Sequence, residues 1–348
     1  VMDDLRGYFL LPKQMLETGG ITADPFNSMR LGNGLAGQAM LHAMMLVVFD
    51  FFNILLVEFG VSLIICVGLV WSIATNRGLS YPWKWALVLF FLCLPYYPSL
   101  VINTSSFISG MLMLLALFAF LDREEFSSTQ TPVRNLLVIG LLASCAIALK
   151  TTFLPPVFMI LALSYICYLA SSRFKKAAVL ETVSVAMFVL IMLLPWMLSL
   201  LNSSGTMLNP LLGTGYSEYN YGNYISDSQI GGFSLSQKLT FIWLTFFSRD
   251  TYLMLLIAGI IGAIVARPRQ RIAPHAFVLG ILVSSVAVLL NADLSKPPSL
   301  NRYIYGVVYV ALTVVIMELM AVASRHSRLT GSTTPGRILF ASLTGLKK

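Results

Sequence analysis

Long apolar runs separated by short polar connectors make up most of the chain. Residues 136–149, 153–170 and 177–201 are examples, and such runs approach or reach the roughly 20 apolar residues that cross a bilayer as an α-helix. The pattern predicts about nine spanning helices. Their predicted limits are 53–74, 85–98, 105–121, 135–149, 153–170, 177–200, 250–266, 275–290 and 303–323.

Composition indicates an all-α, polytopic membrane fold. Hydrophobic residues make up 57% of the 348 residues and charged residues 11%, which lies far outside the balance of a soluble domain. All four cysteines fall in apolar runs, where a free cysteine behaves as a small hydrophobic residue and no disulfide framework is expected. We therefore expect one transmembrane domain over residues 1–348, with outer loops at 1–52 and 201–249.

The basic residues predict how the spans are oriented. Most of the 23 Lys and Arg residues fall in five segments, which the positive-inside rule assigns to the cytoplasm. These segments are 76–84, 122–134, 171–176, 267–271 and the tail from 324. Because topology accounts for the net charge of +8, we expect no nucleic-acid partner. The expected location is a bacterial inner (plasma) membrane, with the active side extracytoplasmic.

The outer side of this topology is where a functional site is expected, because its loops are longer than a connection requires. Residues 35–51 could form one more span, which would reverse the side of the N-terminal loop. Gly37, His42 and Asp50 favour instead a helix in the interface, with its apolar face in lipid and its polar face outward. The two long outer segments are residues 1–34 and 202–238.

An acidic pair, Asp3 and Asp4, precedes an amphipathic stretch over residues 5–17. Gly19-Gly20 then forms a predicted helix stop. One aspartate can be the N-cap of that helix, since Asp is favoured there. Alternatively, one carboxylate acts as a general base on a hydroxyl group at the membrane edge, and both interpretations can hold together. Since the chain opens at Val1 in a polar loop, we also expect a membrane helix before it.

Two cations, Lys150 and Arg302, fall on the outer side, at a turn between spans and at the start of the last span. Such side chains commonly extend to lipid headgroups. Positive charge against the cytoplasmic bias also suggests an anionic partner, and a phosphate at the outer surface would fit.

The later outer loop, 202–238, contains a group of tyrosines interleaved with Asn, Gly and an acidic residue. Tyrosines near a membrane surface are most often belt residues. This group also suits a surface that stacks on a sugar ring and hydrogen-bonds its hydroxyls. Its members are Tyr216, Glu218, Tyr219, Tyr221 and Tyr224.

Three carboxylates, Asp50, Glu58 and Glu318, lie in or beside apolar runs. A carboxylate at membrane depth is costly, so each marks a candidate site. Glu58 and Glu318 could instead pair with polar groups of neighbouring helices. The three histidines are too dispersed to form a metal-ligand pattern, and we interpret them as structural.

Several short motifs resemble those of GT-C glycosyltransferases that use polyprenyl-phosphate sugars, including the protein mannosyltransferase and aminoarabinose transferase group. In that family an acidic pair follows the first membrane helix, and Asp-Asp stands here where Asp-Glu is frequent. The motifs that carry the resemblance are Asp3-Asp4-x-x-x-Tyr8, Met15-Leu16-x-Thr18-Gly19, Asp24-Pro25-Phe26, Asn103-Thr104-Ser105-Ser106, Pro195-Trp196, Gly205-Thr206, Asn209-Pro210-Leu211 and Arg302-Tyr303.

The resemblance implies a GT-C-like fold and inverting transfer of a sugar from a polyprenyl-phosphate donor to a glycan, lipid or protein acceptor. It implies that Asp3 or Asp4 is the base and that Lys150 and Arg302 bind the donor phosphate. The sugar or acceptor would be held by Tyr8, Tyr216, Glu218, Tyr219, Tyr221 and Tyr224. A divalent metal is left open, with Asp3, Asp4 and Glu218 or Asp227 as ligands.

Two other functions fit the same residues. In a transporter or flippase for a lipid-linked or anionic solute, the cations would line the path. That class usually shows paired halves and a site near the midplane, whereas the polar residues here collect on the outer side. A non-catalytic scaffold or a component of a polysaccharide polymerase is the third alternative.

Overall fold

The computed structural model describes residues 10–20, 37–94, 106–122, 132–171, 175–204, 273–290 and 297–330, together with residues 207, 236, 237 and 240. Within these residues all regular structure is helical, as the apolar pattern predicts. A 3₁₀ turn (Phe51–Leu55) and a π-helical segment (Leu56–Ser62) lead into the helix that begins at Leu63, and a second 3₁₀ turn (Thr151–Phe153) leads into the helix that begins at Leu154. The α-helices are α1 (Leu10–Thr18), α2 (Gly37–Val48), α3 (Leu63–Asn76), α4 (Tyr81–Leu92), α5 (Ile108–Leu121), α6 (Val133–Leu149), α7 (Leu154–Ser171), α8 (Lys175–Ser204), α9 (Ala273–Leu290) and α10 (Pro297–Thr330).

Among the residues that the structure describes, three helical segments are long and apolar enough to cross a membrane, in agreement with the first, sixth and ninth predicted spans. They are Asn53–Asn76, Lys176–Leu198 and Tyr305–Ser324. Five other predicted spans coincide with shorter apolar helices, namely Tyr81–Leu92, Ile108–Leu121, Val133–Leu149, Leu154–Ala170 and Ala273–Val286. The predicted span 250–266 lies outside the described residues, and the total of about nine spans stays a prediction.

Helices α3, α5 and α10 run in the same direction. Glu58, just before α3, accepts a hydrogen bond from the backbone N–H of Ile108 at the start of α5. At the opposite ends, Arg77 after α3 forms ion pairs with Asp122 after α5 and with Glu318 in α10. The first, third and ninth predicted spans must be parallel, because each crossing reverses the chain. We call the Glu58 end the outer end and the Arg77 end the inner end, following the Lys and Arg pattern.

Helix α5 lies at the centre of the described bundle, and most of its side chains are buried. The Phe118 ring packs edge-on against Phe277 of α9 with centroids 5.0 Å apart, and Phe107 packs against Tyr309 of α10 at 6.1 Å. At 1.5 Å per residue α5 is about 21 Å long, which is shorter than the roughly 30 Å hydrocarbon core of a bilayer. The polar groups at its two ends are therefore closer together than the two surfaces of a membrane.

At the inner end, a glycine turns the chain out of α3 and leaves Arg77 facing the bundle. Gly78 has a positive φ of 70°, a conformation that glycine adopts without strain. The backbone N–H of Leu79 then donates to Ala74 O at 3.1 Å, and that of Gly78 to Thr75 O at 2.9 Å. This is the Schellman pattern that satisfies the last carbonyl groups of a helix.

The guanidinium of Arg77 forms a buried ion cluster with two carboxylates. Its Nη2 atom lies 2.5 Å from Asp122 Oδ1 and 2.8 Å from Glu318 Oε1, and only 1% of the Arg77 side chain is exposed. The guanidinium carbon is also 6.0 Å from the centroid of the Phe118 ring. Of the two interpretations open for Glu318, the structure shows pairing with neighbouring helices. The cluster joins the inner ends of α3, α5 and α10.

Close helix packing is visible where Gly280 of α9 meets α7. A Cβ atom added at Gly280 would lie 2.8 Å from the backbone N and 2.9 Å from the Cα of Ile160. No side chain fits into that space, so glycine lets the two backbones approach. Small residues serve this purpose at helix interfaces in membranes, where dispersion contacts drive association.

Candidate functional site

A buried carboxylate lies at the outer end of α5, inside the apolar bundle. Glu58 belongs to the π-helical segment before α3 and is 2% exposed. Its Oε2 accepts hydrogen bonds from the backbone N–H groups of Ile108 at 2.6 Å and Ser109 at 3.0 Å, and its Oε1 accepts one from the Ser109 hydroxyl at 2.5 Å. The N-cap residue Phe107 provides no side-chain acceptor. Glu58 therefore supplies from another helix the acceptors that the first turn of α5 requires.

Helix α2 adds two polar side chains to this carboxylate. Gln38 and His42 are four positions apart, so they share one helix face, and both are buried. Gln38 Nε2 donates to Glu58 Oε1 at 3.2 Å and lies 2.9 Å from His42 Nε2, which accepts when the ring proton is on Nδ1. We call Gln38, His42, Glu58 and Ser109 the Glu58 cluster. Its bonds satisfy a carboxylate that would otherwise be costly to bury.

The interfacial helix predicted over residues 35–51 corresponds to α2, but one feature of that prediction is wrong. The polar face was expected to point outward, whereas Gln38 and His42 point into the protein. The outward face consists instead of exposed apolar side chains, among them Met44 at 60% and Val48 at 72%. The physical reason is the buried Glu58 carboxylate. A buried carboxylate without hydrogen-bond donors costs more free energy than transfer of an amide and an imidazole from water into the protein.

The backbone that leads into Lys150 lies next to the Glu58 cluster. The preceding residue, Leu149, ends α6, and its carbonyl accepts a hydrogen bond from the Ser106 hydroxyl at 3.5 Å. A Cβ atom at Gly37, the neighbour of Gln38, would lie 3.0 Å from the backbone N of Leu149. Lys150 itself is half-buried and begins the 3₁₀ turn, in which Phe153 N donates to Lys150 O at 3.0 Å.

Arg302 occupies the first turns of α10, four positions before Gly306. A Cβ atom at Gly306 would lie 3.3 Å from the Phe107 ring, and Tyr309 of α10 also packs against that ring. The backbone of Arg302 is thus about 6 Å along the helix axis from a residue that touches Phe107. The residue before Lys150 and a residue one turn after Arg302 therefore lie against Ser106 and Phe107, two consecutive residues that precede α5.

The remaining predicted site residues lie outside the described part of the chain. They are Asp3, Asp4, Tyr8, Tyr216, Glu218, Tyr219, Tyr221, Tyr224 and Asp227. Among the described residues there is no group of three or more His, Cys, Asp or Glu side chains that could hold a metal ion. A role for a metal held by the acidic pair stays a prediction.

The helix that follows the acidic pair is described, and it packs on α2. Helix α1 ends at Thr18, and Gly19 adopts a φ of 71°, which confirms the predicted helix stop. Leu11 of α1 is buried against Ala39 of α2, with Met15 packed against both. Helix α1, which begins six positions after Asp4, is therefore packed against the same helix that carries Gln38 and His42.

Sequence patterns gave no role to Gln38 and Ser109, and they gave His42 only a structural one. A usable signal was present, because Gln38 and His42 are spaced as one face of an otherwise apolar helix and Glu58 stands at membrane depth. The chemical capacity of the cluster follows from its bonds. A carboxylate engaged with two backbone N–H groups, a hydroxyl and an amide is held in place, so it suits orientation of helices rather than proton transfer.

No protein-family model, characterised protein or solved structure matches this chain. Its function is therefore inferred from its own residues and their arrangement.

Proposed function

We propose that this chain is an inverting, GT-C-like glycosyltransferase of the bacterial plasma membrane. It moves a sugar from a polyprenyl-phosphate donor to a glycan, lipid or protein acceptor on the extracytoplasmic side. The observation that supports this best is the location of Lys150 and Arg302. The two cations expected to bind a donor phosphate both belong to segments that contact Ser106-Phe107 at the outer end of α5.

Glu58 already occupies the N-terminus of α5, so the proposal requires these two cations to bind the phosphate. A helix N-terminus attracts anions through its free N–H groups, but Glu58 already accepts from those of Ile108 and Ser109. A donor phosphate therefore requires other positive groups. Lys150 offers a compact charge, and Arg302 offers a planar fork that can donate to two phosphate oxygens.

The proposed reaction needs one base and charge compensation. An acceptor hydroxyl attacks the anomeric carbon from the face opposite the phosphate and loses its proton to Asp3 or Asp4. The bond between the anomeric carbon and the phosphate oxygen breaks, and polyprenyl phosphate leaves with the bonding electrons. Since phosphate is a good leaving group, no general acid is needed, in contrast to an inverting glycosidase. Lys150 and Arg302 stabilise the negative charge that develops on the leaving phosphate.

The test uses purified protein in proteoliposomes with a labelled polyprenyl-phosphate sugar and a panel of acceptors. Wild-type protein is expected to transfer label, and the double variant Asp3→Asn with Asp4→Asn to lose transfer. Lys150→Ala and Arg302→Ala are expected to raise the donor KM about tenfold or more, because each removes a charge-assisted phosphate contact. Lys13→Ala is the matched control, since Lys13 is 69% exposed and paired only at 3.8 Å with Glu17 on the surface of α1.

Several results would overturn the proposal. Transfer that survives the double aspartate change would show that neither Asp3 nor Asp4 is the base. An equal effect of Lys13→Ala and Lys150→Ala would contradict phosphate binding by Lys150. Absence of transfer by wild-type protein with every acceptor would contradict the proposed activity.

A transporter or flippase for a lipid-linked or anionic solute is the second candidate. It is favoured by the buried charged groups at both ends of the short helix α5, because ionisable residues at membrane depth often line transport paths. The same proteoliposomes separate the two functions. Movement of an unaltered solute across the bilayer, with no transfer of label to an acceptor, supports the transporter.

A further inference from the structure

We infer that Glu58 is a positioning residue, which through Gln38 holds α2, and the helix α1 packed on it, on the N-terminus of α5. The functional part of this inference rests on the proposed function, because α1 begins six positions after Asp4 of the acidic pair. The attachment itself is a property of the structure and can be tested without any activity.

A continuous series of contacts leads from helix α1 to the bundle. Helix α1 packs on α2 through Leu11 and Ala39. Gln38 of α2 then donates to Glu58, which accepts from the first two residues of α5. Lys150 follows Leu149, whose carbonyl accepts from Ser106, two residues before α5. Helix α1, which follows the proposed base in sequence, and the turn with a proposed phosphate ligand thus both connect to the same helix end.

The attachment of α2 relies on this polar contact because the buried part of its surface is polar or small. Its four buried residues are Gln38, Ala39, His42 and Ala43, and its larger side chains Leu41, Met45 and Leu46 are only half-buried. Small side chains contribute little apolar area. Separation of α2 would remove the bond between the Gln38 amide and Glu58, and loss of a buried hydrogen-bond partner costs more than the bond itself contributes. The polar pair therefore opposes separation of α2 from Glu58.

The backbone before α3 is shaped to present the carboxylate. Glu58 lies in a π-helical segment of seven residues, Leu56–Ser62. Such wide turns are rare and are often found at functional sites, because they rotate a side chain out of the regular helical register. Here the rotated side chain is the one that reaches both α2 and α5.

The first test measures exposure of α2 directly. The four native cysteines are replaced by alanine, and Ala43, which is 6% exposed, is changed to cysteine in proteoliposomes. A membrane-impermeant maleimide is expected to label position 43 slowly. In Gln38→Leu, labelling is expected to accelerate about tenfold or more, since local opening exposes the buried face. The matched control is Met44→Leu, which introduces the same residue on the exposed face of the same helix.

The second test separates positioning from a general defect. Gln38→Leu leaves the bonds of Glu58 to Ile108 and Ser109 intact, so α5 and the neighbouring Lys150 keep their places. We expect kcat to fall about tenfold or more while the donor KM stays within about twofold. Gln38→Asn, which keeps the amide on a shorter side chain, is expected to recover part of kcat. It also serves as the test variant if Gln38→Leu does not accumulate.

The outcomes distinguish the two proposals. Unchanged labelling and unchanged kcat in Gln38→Leu would overturn the inference, as would a donor KM that rises in step with the loss of kcat. If wild-type protein transfers no sugar, the proposed function fails. Labelling of position 43 then decides alone whether the contact holds α2 on the bundle.

Discussion

Arg77 Nη2 lies 2.8 Å from Glu318 Oε1, so the end of the first predicted span is tied to the helix that contains the last one. The same nitrogen is bonded to Asp122 at the end of α5. One guanidinium thus holds the inner ends of three helices that are far apart in sequence. Burial makes this cluster sensitive to the loss of any member, since a buried charge whose partner is removed is strongly destabilising.

We predict that Arg77→Ala lowers the stability of the protein by about 3–5 kcal/mol, because two carboxylates then face each other without the cation. The measurement is thermal unfolding in detergent, with retention on gel filtration as a second probe. Arg134→Ala is the matched control, because Arg134 is an exposed arginine at the start of α6, also on the predicted cytoplasmic side. Equal unfolding temperatures for the two variants would contradict a stabilising role for the cluster.

Removal of the Glu58 carboxylate is predicted to loosen the outer end of the bundle. In Glu58→Ala the N–H groups of Ile108 and Ser109 lose their acceptor, and each unsatisfied group costs about 1–3 kcal/mol. Ser109→Ala should cost less, since the carboxylate keeps both backbone donors. Hydrogen exchange of the first turn of α5 measures the difference. Faster exchange in Ser109→Ala than in Glu58→Ala would be inconsistent with capping by Glu58.

Gly37→Ala is predicted to displace α2 from the end of α6. Its Cβ would lie 2.6 Å from Ala148 O and 2.7 Å from Ala148 C, both backbone atoms that cannot rotate away. We expect a loss of about 1–3 kcal/mol, as for other overpacked contacts. Gly68→Ala in α3 is the control, because a Cβ there meets no atom within 4 Å. That change should be neutral or should stabilise the helix by about 0.5–1 kcal/mol.

The orientation of the first span can be tested with two single cysteines in a cysteine-free background. Asp50 precedes the span Asn53–Asn76 and Asn76 is its last residue, and both are exposed. An impermeant maleimide added to intact cells should label Asp50→Cys directly and Asn76→Cys only after permeabilisation. The opposite pattern would put the proposed site on the cytoplasmic side, away from extracytoplasmic acceptors.

The features that sequence predicted well are those set by local chemistry. The helix stop at Gly19 follows from a glycine that adopts a positive φ after an amphipathic run. The segment Asn53–Asn76 follows from an apolar run long enough to span, and Glu58 stood out because a carboxylate is expensive at that depth. In each case the information lies within a few neighbouring residues.

The features that sequence did not predict depend on partners far along the chain. The direction of Gln38 could be known only with the position of Glu58, and Glu58 in turn is explained by the start of α5. An isolated interfacial helix would turn its polar side chains toward water. In α2 they face the protein instead, because a buried carboxylate lies beneath that helix. The roles of Asp3, Asp4 and the tyrosine loop stay predictions, since those residues lie outside the described ranges.

The charge contacts at the two ends of α3 also bear on how the protein is made. Glu58 precedes Ile108 by 50 positions and Arg77 precedes Asp122 by 45, so both partners reach the membrane with the same later helix. Helices inserted in order can associate before synthesis ends. Helix α5 therefore completes a unit of α3, α4 and α5, whereas Glu318 joins Arg77 only after the intervening helices and most of α10 have been synthesised.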